Sequence, residues 1–131
     1  MSHAVRVHET GDASVLQWEE MSVAEPAAGE VCLRHTAIGL NFIDVYFRVG
    51  TYPSPQLPFV PGLEGAGVIE SIGENVRGFE VGDRVAYASP PLGAYAESRL
   101  MPAGRLVKLP DDIEDRVAAA MMLKGMTAHY L

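Results

Sequence analysis

The run PGLEGAGVIESIG, residues 61–73, places Gly62, Gly65 and Gly67 close together and decides between two very different folds. A loop that cradles a dinucleotide needs G-x-G-x-x-G directly after a strand and opening a helix, so that the pyrophosphate rests on the helix N-terminus. Here the spacing is G-x-x-G-x-G. Read from Gly65 instead, Glu70 stands where the third glycine belongs. A proline-rich stretch precedes the run, and VIESIG after it alternates with period two. The run therefore reads as a turn entering a strand, with glycine permitting positive φ or a close backbone approach. No G-x-x-x-x-G-K-[ST] loop occurs anywhere in the chain.

The rest of the chain agrees with a β fold. HAVRVHE (3–9), VLQWEEMSV (15–23) and EVCLRHTAIG (30–39) read as strands, separated by the turn signals GDAS and EPAAGE. NFIDVYFRVG (41–50) shifts to a period of three and four, which predicts a short helix with Asn41 as its cap and Gly50 closing it. TYPSPQLPFVPG (51–62) carries four prolines and reads as an extended, irregular loop. Strands are expected again at 66–73, 83–88, 93–101 and 105–110. Such short, closely spaced strands predict a sandwich or barrel.

PDDIEDRVAAAMML (110–123) reads as a helix capped at Asp111 with Glu114 three residues on. Gly125 is expected to break it. MTAHYL then reads as the opening of another helix, with Thr127 in a capping role. That helix stops at Leu131 after barely one turn, so the architecture reads as unfinished.

Composition narrows the functional classes. The 131 residues suit one domain. A formal net charge of −7 argues against a nucleic-acid partner, which needs a basic face. It fits a cytoplasmic protein. The N-terminus has no signal-peptide pattern, and no stretch is long and apolar enough to span a bilayer. The single cysteine, Cys32, excludes an internal disulfide and reads as a small buried apolar group.

The order of motifs, GLNFIDVYFRVGTYP, LPFVPGLEGAGVIESIGENVRGFEVGDRV, GAYAESRLMPAGRLVKLPDDI and LKGMTAHYL, resembles the medium-chain dehydrogenase/reductase superfamily. Within it the chain is similar to the zinc-free NADPH:quinone oxidoreductases of the zeta-crystallin group. The resemblance runs from about residue 3 to the last residue. It implies a mainly β fold with short helices, a GroES-like, partly open β-barrel. It also implies that residues 1–131 are the catalytic domain and end in the helix linking it to a Rossmann domain, which these residues do not include. The full-length protein is expected to be a homodimer.

Metal chemistry follows from donor types. Zinc-dependent members carry Gly-His-Glu where this chain has Gly62-Leu63-Glu64, and a cysteine where it has Asn41. Leu63 has no ligating atom, and zinc prefers Cys, His and carboxylate over an amide. His3, His8, His35 and His129 show no ligand spacing and read as surface or strand residues. No zinc is therefore expected, structural or catalytic. Without a Lewis acid, simple alcohol oxidation is disfavoured, whereas a quinone or activated enone accepts electrons through its own conjugation.

By resemblance, Asn41, Phe42, Ile43, Asp44 and Tyr46 line the nicotinamide end of an NADPH site, and Thr127 and Tyr130 approach it from the end of the chain. Tyr46 and Tyr52 could wall a quinone, with Leu63 making the pocket apolar. No catalytic residue is assigned. Glu64 is expected to be buried and paired with a basic side chain. Asp83 and Arg84 read as turn and strand residues, and Lys124 as facing either the cleft or solvent. The leading function is NADPH-dependent quinone reduction by a domain expected to be inactive alone. The alternatives are a domain of an enoyl or alkenal reductase, or a stand-alone GroES-like binding module.

Overall fold

The computed structural model describes residues 1–54 and 56–131. Seven strands and two helices follow in chain order: β1 (Ser2–Val7), β2 (Leu16–Met21), β3 (Glu30–Ile38), α1 (Phe42–Val49), β4 (Glu64–Ile72), β5 (Arg84–Ala88), β6 (Ser98–Pro102), β7 (Val107–Lys108) and α2 (Asp115–Tyr130). Single 3-10 turns precede β2 at Ala13–Val15 and β7 at Ala103–Arg105. β1 and β2 form an antiparallel hairpin, and the other strands form a five-stranded sheet in the order β6-β3-β4-β5-β7. Bridges from Ala4 to Ala96 and from Val7 to Phe59 tie the hairpin to the rest without closing the sheets into a barrel.

The glycine run is a turn and a strand, as its spacing requires. Gly62 has φ +100°, and a methyl group there would lie 2.5 Å from the Tyr95 ring. Gly67 sits inside β4, where a methyl group would overlap the carbonyl of Arg34 on β3. Glycine is thus needed once for conformation and once for the approach of two strands.

The two faces of the sheet carry different side chains. One buries Val31, Leu33, Ile69, Val85, Tyr87 and Met101. The other presents Ala66 and Ala86, directly opposite each other on β4 and β5, to Ala118 and Ala119 of α2. Small side chains on both partners let the helix lie close to the sheet. Side chains alternate along a strand, so Glu64 points to the same face as Ala66, toward α2.

Several element boundaries differ from the sequence pattern. Residues 93–97 are irregular, and the strand expected over 93–101 is confined to Ser98–Pro102. The strand expected over 105–110 shortens to two residues after a 3-10 turn. The helix expected from 110 begins at Asp115 with Glu114 at its cap. Arg84 accounts for the delay. Its guanidinium holds the Asp115 carboxylate at 2.6 Å and takes the carbonyls of Ile113 (2.5 Å) and Pro110 (3.4 Å), fixing 110–113 against the sheet. Gly125 does not break α2, which runs through it to Tyr130. Thr127 is therefore not a cap; its hydroxyl donates back to the Leu123 carbonyl at 2.8 Å. No helix among the described residues is long and apolar enough to cross a membrane. Part of the proline loop, Pro55, lies outside the described residues.

Candidate functional site

The site forms where the end of β3, the start of α1, the start of β4 and the middle of α2 converge. Asn41 has extended backbone angles at the N-cap of α1, and Gly50 closes the helix in the left-handed region at φ +88°. The Asn41 backbone N–H donates to Asp44 Oδ2 at 3.0 Å, so the carboxylate three residues on reaches back to the cap. The Asn41 side chain makes two further bonds across the site. Its Nδ2 donates to Glu64 Oε1 at 2.8 Å, and its Oδ1 accepts from Lys124 Nζ at 2.8 Å.

Glu64 is fully buried, and its second oxygen accepts from the Leu123 backbone N–H at 2.6 Å. The basic partner expected for Glu64 is thus not in direct contact. The amide of Asn41 stands between the carboxylate and the ammonium of Lys124. A buried carboxylate without such donors would be costly. Here the amide satisfies both charged neighbours at once, and the Leu123 N–H supplies a further charge-assisted bond. Gly39 completes the packing, because a methyl group there would overlap the Ala119 carbonyl and the Glu64 carboxylate.

Asp44 is also buried. Its Oδ2 accepts a second bond, from the Tyr95 hydroxyl at 2.7 Å, while its Oδ1 has no partner among the described residues. Burial and the adjoining Asp44 carboxylate push the Tyr95 phenol far above its ordinary value, which keeps it a donor.

Leu40, Asn41, Phe42, Ile43, Val45, Leu123 and Lys124 line a mostly apolar groove of about 400 Å³. Phe42 is 83% exposed at its rim. A second groove of about 390 Å³ adjoins it, sharing Leu40 and Lys124 and lined further by Ala37, Ile38, Gly39, Arg116, Ala119 and Ala120. Of the residues expected from sequence to form a site, Asn41, Phe42 and Ile43 come together on the first groove. Asp44 lies behind them as a support. Tyr46 and Tyr52 pair edge to face, with ring centroids 5.3 Å apart, and do not line that groove. Leu63 is buried beside Glu64. Thr127 and Tyr130 are exposed on the last turns of α2 and are not among the groove's lining residues.

The histidines lie apart. His3 stacks on Trp18, His8 contacts Glu19 on β2, and His129 is in the last turn of α2. His35 belongs to a separate polar chain that the sequence pattern did not reveal. Its Nδ1–H donates to the Ala96 carbonyl at 2.7 Å, and its Nε2 accepts from the Tyr87 hydroxyl at 2.7 Å. Tyr87 in turn accepts from Arg99, whose guanidinium also caps the carbonyls of Pro91 and Leu92. Burial lowers the His35 imidazole to about 4, so it is neutral near pH 7. Cys32 is only half-buried, and burial, with help from Glu70, raises its thiol. Among the described residues, no three His, Cys, Asp or Glu side chains are grouped to hold a metal ion.

Comparison with known proteins places this geometry. The model of the alcohol dehydrogenase GroES-like domain matches residues 27–111. A quinone oxidoreductase of Pseudomonas aeruginosa is 50% identical over 131 residues, covering 100% of this chain and 40% of the relative. A 2-haloacrylate reductase of a Burkholderia species is 47% identical over 137 aligned positions, covering 100% of this chain and 41% of the relative. The crystal structure of Escherichia coli quinone oxidoreductase complexed with NADPH superposes with a TM-score of 0.96 at 41% identity, over 98% of this chain and 39% of that one. The chain thus spans about two fifths of the length of these relatives.

Proposed function

Because this chain belongs to the alcohol dehydrogenase GroES-like domain family of the medium-chain dehydrogenase/reductase superfamily, we propose that residues 1–131 are the catalytic domain of a zinc-independent, NADPH-dependent quinone oxidoreductase. The carrying observation is the Asn41 amide held between Glu64 and Lys124 at the edge of an apolar groove. It bears on the metal question through donor chemistry. Asn41 and Leu63 occupy the positions where zinc-dependent members carry cysteine and histidine. Leu63 offers no lone pair, and the Asn41 oxygen already accepts from an ammonium that would repel a dication.

The residues present fit a flat, weakly polar nicotinamide. Phe42 and Ile43 give the groove an apolar wall, and Asn41, Asp44, Tyr46, Thr127 and Tyr130 are the further residues proposed to hold the cofactor's nicotinamide end. NADPH, when bound, supplies the hydride. The chain's own residues orient the reactants and keep water from the reacting faces. Asp44 fixes the start of α1 through the Asn41 N–H and the Tyr95 hydroxyl. Tyr46 and Tyr52, with Leu63 behind, form the wall proposed for the acceptor ring.

The test is NADPH oxidation by the natural full-length protein with 1,4-benzoquinone, before and after treatment with a chelator. We expect quinone-dependent oxidation that the chelator leaves unchanged. Loss of turnover on chelation overturns zinc independence, and absence of quinone-dependent turnover overturns the quinone reading. A second reading, reduction of an activated carbon–carbon double bond, is favoured by the likeness to a 2-haloacrylate reductase. An enone reduced faster than any quinone supports it.

A further inference from the structure

We propose that the cavity beside Arg99 is a binding site for a small amphipathic carboxylate, a ligand distinct from both the cofactor and the acceptor. The cavity measures about 520 Å³ and lies between the end of β2, the proline loop and the start of β6. Met21, Val23, Phe59, Leu92 and Leu100 give it an apolar wall. Arg6 and Arg99 are the charged residues that line it among those described, and no acidic side chain does, in a chain whose net charge is −7. It shares no lining residue with the two grooves beside Asn41 and Lys124. A ligand bound here leaves both of those grooves open.

Arg99 is a buried cation without a counter-charge. It is 7% exposed, and among the described residues no carboxylate lies within ion-pair distance of it. Neutral acceptors hold its guanidinium in place. Nε donates to the Leu100 carbonyl at 3.1 Å, Nη1 to the Tyr87 hydroxyl at 3.2 Å, and Nη2 to the carbonyls of Pro91 (2.9 Å) and Leu92 (3.3 Å). A guanidinium has five N–H donors, so one on Nη1 remains. Tyr87 could supply negative charge only as a phenolate, but burial raises its phenol and its proton goes to His35 Nε2. A cation buried among neutral groups is costly, and the same low dielectric strengthens its attraction for an anion placed beside it. Gly93 leaves room for that anion. It lines the cavity, and a methyl group there would lie 3.0 Å from Arg99 Cζ, so any side chain at 93 would cover this flank of the guanidinium. Arg6 adds a second positive charge. Its Nη1 pairs with Glu19 at 3.3 Å, and its other nitrogens have no acceptor among the described residues. A single remaining donor on Arg99 suits a singly charged carboxylate better than a phosphate, and the apolar wall suits a hydrocarbon body.

Cyclohexanecarboxylate, which is saturated and has no bond to reduce as an acceptor, and its uncharged carboxamide test the site by NMR titration of the ¹⁵N-labelled protein. We expect the acid to shift the Arg99 Nε–H signal and the amides of Leu92, Gly93 and Leu100 with a dissociation constant on the order of a millimolar, and the carboxamide to bind about tenfold more weakly. Arg99→Gln should abolish that preference, Arg99→Lys should keep part of it, and Arg6→Gln should reduce it about twofold. Ala24 is exposed at the rim of the cavity, away from the buried core. Ala24→Phe should therefore fold and weaken binding of the acid about tenfold by filling the entrance, which keeps the test decisive should Arg99 variants fail to fold. Equal binding of acid and carboxamide by the wild type, an Arg99 signal that does not move, or unchanged binding in Ala24→Phe overturns the site. Shifts centred on Arg116 and Lys124 instead also overturn it, since they place the carboxylate in another groove.

Discussion

At the scale of single residues, Glu64 makes the largest demand. It is fully buried with two short hydrogen bonds and no cation in contact among the described residues, so removing it takes a partner from the Asn41 amide and from the Leu123 N–H. Glu64→Ala should cost about 3 kcal/mol in urea denaturation, from unpaired donors and a cavity together. His35 gives a pH signature of opposite character. Its folded value, about 4, lies below its ordinary value of 6.5 because burial disfavours the charged form. Between those values the unfolded chain takes up a proton that the native imidazole refuses. The contribution is thus complete above about pH 6.5 and is lost as the pH falls toward 4, up to about 3 kcal/mol. Stability measured from pH 7 to pH 4 should fall in the wild type more steeply than in His35→Gln.

At the scale of elements, α2 is the informative case. The sequence pattern located the helix but not its ends. The start was set by Arg84, thirty-one residues earlier, whose guanidinium binds Asp115 and the carbonyls before it. The end was misplaced because glycine is a poor helix former, whereas packing of Ala118 and Ala119 on the sheet carries the helix onward past Gly125. A methyl group at position 125 would meet only the end of the Met121 side chain at 3.5 Å, an ordinary contact. Gly125→Ala should therefore stabilise the protein by about 0.5–1 kcal/mol, read as a higher urea midpoint. The opposite result would mean that the last turns of α2 need the glycine for another reason. By contrast, α1 was legible at both ends, since Asn41, Asp44 and Gly50 carry their capping chemistry locally.

At the scale of the whole molecule, stability is concentrated in the centre of the five-stranded sheet. β3 and β4 pair with each other and with outer strands, and their side chains supply much of the core. β7 has only two residues, and the last turn of α2 is exposed. Native-state hydrogen exchange should find the slowest amides in β3 and β4 and the fastest in β7 and the end of α2. Comparable protection across all of these would contradict a core centred on β3 and β4.

By itself the sequence determined the β character of residues 61–73, the place of α1 and the unsuitability of Leu63 as a metal ligand. Each of these is a local property: glycine spacing, period, capping groups or donor type. Tertiary structure alone decided that the Asn41 side chain meets Glu64, 23 residues on, and Lys124, 83 residues on, with two adjoining grooves that share Lys124 in their lining. Those meetings depend on the register of β4 beside β3 and on alanine faces close enough to seat α2, and no local pattern encodes a distance across a sheet.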